Sequence, residues 1–440
     1  MGEKIFYRDL FFEKTVFFKM ILEPSGVEEI TTGLDLGIGF REISENFTNF
    51  YTYTTENILP FLEEKVVLFF KGEPFEELKY GIEKSLLERS NLPKGDRYFS
   101  FLKAMEKEIP EVPEIKHYRL GLTEVQREIV FFNSQGEFCE TKRKYLRLVA
   151  LVVAEKDGNL ERGYEAKGYS LSLERALEID PGLYFLGKKA SNLAQLMLSA
   201  RKAKAGVMPV ILAGEAGGTM IHEAVGHGLE ADHAEEGLSV YTGRLEEKVA
   251  SPLITVIDDP TIPNLYGSYE IDDEGVPAEK VVLIEKGVLK NYLYDRYSAL
   301  KWGKTPNGHG RRENFRHLPI PRMANTFIAP SEHTPEEIIK SVPKGILVKK
   351  MGGGEVNPLT GDFVFEVVEG YYIEKGEIAY PVKGATLVGN GPKVLESIDM
   401  VGKDLHFEAG TCGKDGQGVA VSDGQPTLRI PELTVGGVVE

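Results

Sequence analysis

After Gly243 the chain is a succession of strand-length apolar runs cut by glycine turns, and this pattern constrains the fold more than any other feature. "ASPLITVIDD", "KVVLIEKGVLKNYLYD", "ILVKKMGGG", "DFVFEVVEGYYIEKGEIAYPVKGATLVG" and "PTLRI" hold the β-branched and aromatic residues that suit a pleated sheet. A mainly antiparallel β domain is expected from them. "IEKG" recurs at 284–287 and 373–376, each time between two such runs, which predicts two similar hairpins. At 440 residues the chain is too long for one ordinary core. The fold class expected is α+β: an N-terminal α+β domain over residues 1–195, then a mainly antiparallel β domain over 196–440 carrying the site helix.

Within the first part, "VEEITTGLDLGIGF" and "NFYTYTT" predict strands, and "PFEELKYGIEKSLLERS" predicts a helix with an acidic first turn. From Tyr118 to about Gly168, apolar runs separated by "NSQG" (133–136) and "EKDG" (155–158) predict a four-strand meander. "ASNLAQLMLSARKAKAG" places Leu193, Leu196, Met197 and Ala200 on one helical face, with basic residues in its last turn and Gly206 as its stop. "VMPVILAG" then reads as a buried strand leading into "MIHEAVGHGLEAD".

Charge and composition exclude several functions. A net charge of −16 repels a phosphate backbone, so no direct nucleic-acid binding is expected. Glu13, Lys14 and Lys19 interrupt the phenylalanine-rich N-terminus before a signal-peptide core or a membrane span could form. Cys139 and Cys412 are the only cysteines, too few for a disulfide framework, and they fit a reducing cytoplasm. Cys139, in "GEFCETKRKY", reads as a small buried apolar residue.

His222 and His227 in "HEAVGH" stand five residues apart, one more than in the H-E-x-x-H zinc helix. On a regular α-helix they would point about 140° apart, too far to share one ion. A π-bulge, with about 4.4 residues per turn, brings them within about 50°. Gly226 is a candidate to absorb that distortion, Gly228 to end the helix, and Thr219 to cap its start. Glu223 is placed to take a proton from a water that a cation has acidified. The third ligand is open. Glu230, Asp232 and His233 are near, Cys412 in "GTCGKDGQG" is distant, and spacing does not choose between Glu230 and Cys412. A thiolate with two imidazoles suits Zn²⁺ and leaves a fourth position for water and substrate.

The ordered series "HEAVGHGLEAD", "GRLEEKVASPLITVIDDPTIP", "DDEGVPAEKVVLIEKGVL", "NGHGRREN", "LPIPRMANTFI", "FVFEVVEGYYIEKGEIAYPVKGATLVGNGP" and "TCGKDGQGVAVSDGQPTLRIPELTVGG" closely resembles the TldD branch of the TldD/PmbA metalloprotease family, whose members are also labelled modulators of DNA gyrase. The match spans nearly all of residues 205–440 and is looser over 1–200. The resemblance implies that His222, His227 and Cys412 are metal ligands and that Glu223 is the general base. It also implies a two-lobed dimer, homomeric or with a metal-free PmbA-type paralogue, that encloses its sites and cleaves peptides or unfolded protein segments. Zn²⁺ is the expected cofactor, with another divalent ion left open. Two rival readings stand beside this one. The chain could be a regulatory binding protein, a gyrase modulator with a purely structural metal, or the scaffolding half of a heterodimeric protease.

Other clusters read as architecture. "NGHGRRENFRHLPIPRM" gathers His309, Arg311, Arg312, Arg316, His317 and Arg322 in a loop whose arginines are expected to pair with the many acids. "KKMGGGEV" lacks the lysine of a phosphate loop and predicts a tight turn, or backbone lying against an extended peptide. Asp258–Asp259 and Asp272–Asp273 predict turns, and no second metal.

Overall fold

The computed structural model describes residues 5–44, 48–54, 93–438 and scattered positions between 58 and 84. Most of "PFEELKYGIEKSLLERS" lies outside the described residues. The N-terminal half is built on β1 (Ile5–Glu23), β2 (Gly26–Ser44), β3 (Thr48–Thr54), β4 (Ile115–Asn133), β5 (Phe138–Lys156) and β6 (Asn159–Tyr169). They form one antiparallel sheet in the order β3-β2-β1-β4-β5-β6. The four-strand meander expected over 118–168 is corrected to three strands of this six-stranded sheet, because the N-terminal segment pairs with β4. Alternation does not reveal β1. Leu10, Phe11 and Phe12 are all buried, since both faces of the sheet are covered there. Phe12 packs beside Leu10, Ile38 and Phe40, whereas Phe11 meets Phe131 and Phe315 from the other half of the chain. Cys139 is half-buried against this second cluster, and burial pushes its thiol up to about 11.

Helices α1 (Asp96–Lys107) and α2 (Leu186–Ser199) cover one end of the sheet. The helix expected over 190–206 stops early. Arg201–Lys202 pair instead with Val382–Lys383 as a short parallel strand, and Gly206 opens β7 (Gly206–Leu212).

Beyond that point two sheets share a core. β8 (Val256–Asp258), β9 (Val281–Glu285), β10 (Val288–Leu289), β11 (Asn325–Ile328), β16 (His406–Lys414) and β17 (Gln417–Gln425) lie in the order β10-β9-β8-β11-β17-β16. The β11–β17 pairing is parallel. In the second sheet β7, β12 (Lys344–Val356), β13 (Asp362–Glu374), β15 (Thr386–Asn390) and β18 (Leu428–Gly436) close on themselves, because β12 pairs with both β7 and β13. β14 (Glu377–Lys383) flanks the ring along β13. The architecture is therefore α+β and mostly antiparallel, as the glycine-cut runs predict. Both "IEKG" segments are hairpin turns, with positive φ at Lys286–Gly287 and Lys375–Gly376.

Two turns are corrected. "KKMGGGEV" lies inside β12 as a bulged strand whose register shifts between Met351 and Gly354, because Phe365 packs where a Gly354 side chain would stand. The pair Asp258–Asp259 is corrected in part: Asp258 ends a strand and is fully buried, held by Thr326 Oγ1 and the amides of Ala324 and Asn325, while Asp259 opens the expected turn by accepting from the Thr261 amide. No helix among the described residues is long and apolar enough to cross a membrane.

Candidate metal centre

Strand β7 ends at Leu212, and after a short turn the chain enters a three-residue helix, Thr219–Ile221, that becomes π-helical over His222–Gly226. The wide turn is what a five-residue interval needs for both rings to face one point. Two local expectations are corrected. Gly218, not Thr219, stands at the cap, because its Cα lies so close to β17 that a side chain would meet the Gly424 amide at 2.4 Å. Gly226 keeps ordinary helical angles, so it does not absorb the distortion. It is required because a Cβ there would stand 2.0 Å from Met323 Sδ.

The contact of Gly218 with β17 brings Asp423 to His222. The ring's Nδ1–H donates to Asp423 Oδ1 at 2.6 Å. His227 Nδ1–H donates in the same way to Glu230 Oε2 at 2.8 Å. A carboxylate can only accept, so each bond keeps a proton on Nδ1 and aims Nε2 at the ligand position. Burial opposes charge on both rings, but Asp423 with Cys412 raises His222 and Glu230 with Cys412 raises His227 to about 9, so a cation that binds there displaces the Nε2 protons. The two rings are perpendicular, with centroids 5.0 Å apart.

Cys412, on edge strand β16, completes the group. Ligating atoms of His222, His227 and Cys412 all lie within 4.8 Å of one another, and Cys412 Sγ is 3.4 Å from His227 Nε2. Zinc bonded tetrahedrally to one nitrogen and one sulfur would hold those atoms about 3.5 Å apart, so the donor set fits such an ion. Burial opposes ionisation of Cys412, but His222 and then His227 outweigh it and bring the thiol down to about 5. Cys412 is thus a thiolate at neutral pH, the form that ligates.

Glu230, weighed from sequence as a third ligand, is fully buried and turned to a supporting task. Burial disfavours its charge, yet Lys414 and then His227 hold the carboxyl well below the usual range. Lys414 Nζ donates to Glu230 at 2.9 Å and to Asp232 at 2.7 Å. Glu230, Asp232 and His233 do form a second acidic group, but Lys414 binds two of its three members. His233 contacts the backbone carbonyl of His227. Glu223 follows His222 directly and is half-buried; among the described residues no side-chain hydrogen bond ties up its carboxylate.

Sequence reasoning missed Asp423 and Lys414, and it assigned Arg322 a different task. Arg322 is fully buried and donates to the carbonyls of Cys412 at 2.6 Å and Gln417 at 3.3 Å, bracing the hairpin that carries the thiolate. Arg311 likewise donates to the carbonyls of Met323 and Ala420. The loop arginines were expected to pair with acids. Arg316 does so with Asp35, but these two serve carbonyls, because strand ends at the centre leave buried acceptors unpaired. His309 is buried against Asp258, and His317 bonds Asn314.

Residues 205–437 match the model of the PmbA/TldA metallopeptidase C-terminal domain, and residues 88–198 match that of the central domain. A metalloprotease TldD homolog of Haemophilus influenzae is 37% identical over 98% of this chain and 93% of its own length. A metalloprotease of Methanocaldococcus jannaschii is 34% identical over 93% of this chain and 92% of its own. A Saccharolobus solfataricus relative, 34% identical over 58% of each chain, is named a zinc metalloprotease TldD homolog. Among solved structures, a Thermotoga maritima protein named for modulation of a DNA gyrase superposes with a TM-score of 0.76 at 22% identity, covering 98% of this chain and 96% of that one. TldE from Thermococcus kodakarensis gives 0.73 at 18% identity, over 98% and 97%. With two thirds of the chain and more aligned at such identity, and its whole C-terminal half matched by the family model, the chain belongs to the TldD/PmbA metallopeptidase family.

Proposed function

We propose that the chain is a zinc-dependent peptidase acting on peptides or unfolded protein segments, with His222, His227 and Cys412 holding the ion and Glu223 as general base. The observation that carries this reading is the convergence of three ligating atoms within 4.8 Å, two of them on rings whose far nitrogens are held by buried or half-buried carboxylates. When bound, Zn²⁺ supplies Lewis acidity, polarising a peptide carbonyl and acidifying a water molecule. Glu223 takes the proton from that water on its carboxylate and returns it to the nitrogen of the leaving amine. Asp423 and Glu230 keep the two imidazoles in the ligating tautomer throughout. Arg322 keeps the Cys412 carbonyl, and with it the strand, in place.

The relatives' names support a metalloprotease and, in one case, a zinc metalloprotease. From membership of the family we further propose a dimer, either homomeric or with a metal-free paralogue of the PmbA type. Two free cysteines and no disulfide fit a cytoplasmic protein. The domain boundary near residue 195 belongs to the same proposal. A regulatory protein with a structural zinc is disfavoured, since such sites are closed by four protein ligands and this group offers three.

The test is Glu223→Gln. The zinc-loaded chain, alone and mixed with a metal-free paralogue, is given a peptide library, and zinc content is measured in parallel. The variant should keep its metal and lose roughly 10²- to 10⁴-fold in kcat. Cleavage at the parent's rate would remove Glu223 from the mechanism, and a parent that binds zinc but cuts nothing in either mixture would remove the peptidase reading.

A further inference from the structure

The last turn-side residues of strand β16 alternate, with Cys412 and Lys414 buried on one face and Thr411 and Gly413 exposed. One hairpin thus delivers both a metal ligand and a cation to the centre. An ammonium has three N–H donors, and each of those on Lys414 has an acceptor: Glu230 Oε2 at 2.9 Å, Asp232 Oδ1 at 2.7 Å and the Pro321 carbonyl at 3.2 Å.

Which carboxylate oxygen the ammonium takes is the informative detail. Glu230 Oε2 accepts from Lys414 and also from His227 Nδ1–H, at 2.8 Å, while Oε1 of the same group is buried with no hydrogen-bond partner among the described residues. A carboxylate has two equivalent oxygens, so a cation that only neutralised this buried acid could sit against either. Lys414 draws one of them to the point where the imidazole N–H ends. Half-buried Asp232 and the Pro321 carbonyl grip the ammonium as well, so its place does not depend on Glu230 alone. The same stretch of chain holds the hairpin in return, because Arg322, next after Pro321, donates to the Cys412 carbonyl at 2.6 Å.

We infer that Lys414 is a positioning residue of the metal centre: by holding Glu230 Oε2 at His227 Nδ1 it sets the orientation of that ring, and through it the affinity for zinc. The inference rests on the ligand set of the peptidase reading and not on cleavage, so its test needs no substrate.

Zinc affinity is measured by competition with a chromogenic chelator for the parent chain, Lys414→Met, Glu230→Gln and the double variant. Ring N–H signals are followed by NMR on zinc-loaded protein labelled with ¹⁵N in its histidines. Lys414→Met should bind zinc about 10- to 100-fold more weakly, as Glu230→Gln should, and the double variant should be no weaker than the weaker single. The His227 signal, recognised as the one that Glu230→Gln moves, should shift or broaden in Lys414→Met, while the His222 signal, which Asp423→Asn moves, should stay. Lys414→Arg answers the same question if Lys414→Met does not fold. It keeps the charge beside Glu230, but a planar guanidinium does not meet three acceptors disposed around an ammonium, so affinity should still fall about tenfold. Zinc affinity equal to the parent's in whichever of these variants folds, with the His227 signal in place, makes Lys414 a purely structural charge and overturns the inference. Losses that multiply in the double variant overturn it too, since Lys414 would then act by another route than Glu230. Either result leaves the peptidase reading standing, whereas a parent that takes up no zinc overturns its ligand set and this inference together.

Discussion

Two regions of this molecule bury many polar groups, and they differ in what those groups face. At the junction of the N-terminal sheet with the second half, Arg41 reaches Asp9 at 2.8 Å and Glu274 at 2.7 Å, while Arg143 reaches Asp273 at 2.8 Å. Each charge is spent on an opposite charge, and the cluster joins two halves of the chain. At the metal centre the carboxylates of Asp423 and Glu230 lie behind the imidazoles, and the remaining donors of His222, His227 and Cys412 point at one another. At the centre the only charges that meet are a thiolate and ring protons that a cation can displace, with all three ligand atoms aimed at one point; at the junction each guanidinium holds a permanent charge against its carboxylates, which describes a joint. Burial alone does not separate the two cases.

The largest effect that would sharpen this contrast is on the joint. Arg41→Met leaves Asp9 and Glu274 buried without their partner, and should cost about 3–5 kcal/mol in a denaturant titration. Zinc affinity of the folded fraction should not change; if it fell in step with stability, the two regions would not be separate. Next is Cys412→Ala. Zinc sites yield about 10–16 kcal/mol from their full ligand sets, so one ligand is worth about 3–4 kcal/mol, roughly several hundredfold in affinity. Below about pH 5, where the thiol is neutral and its pairing with the imidazoles is lost, the metal-free melting temperature should stay near the parent's, and a large drop there would make Cys412 a packing residue. Smaller again is Asp423→Asn, which keeps a hydrogen-bond acceptor but loses the charge behind His222. A 10- to 100-fold loss in zinc affinity is expected from competition with a chromogenic chelator, and Glu230→Gln should match it.

How far the sequence reached follows the same line. Hairpins were legible because "IEKG" needs only neighbours in the chain, and the π-turn because an interval of five is a local geometric statement. The partners of the two histidines were not. Asp423 lies in "VSDGQ", within strand β17, and it meets His222 through the parallel pairing of β11 with β17 and the missing side chain at Gly218. Neither is written in any spacing. Glu230 was visible as an acid one turn past His227, but its role depended on Lys414, 184 residues away. β1 was hidden for a different reason, since a strand covered on both faces loses the alternation by which strands are read.

The smallest expected effect probes the joint through pH. Burial, and then the nearby charge of Glu274, raise the carboxyl of Asp295 to about 7 and that of Asp272 likewise to about 7. An unfolded aspartate titrates near pH ~4, so between about 4 and 7 the folded chain holds protons that the unfolded chain has released. These groups therefore stabilise the fold fully below that window, and their contribution is lost as pH rises through 7. Asp295→Asn is neutral at every pH and can still cap the helix by accepting from the Ser298 amide. Its melting temperature should nearly equal the parent's below about pH 4, draw ahead as pH rises from there, and exceed it by a few degrees at pH 8, with Asp272 keeping part of the parent's slope. A difference that does not change with pH would mean that Asp295 does not titrate in this window, and that the joint tolerates its charge as well as the metal centre tolerates Glu230.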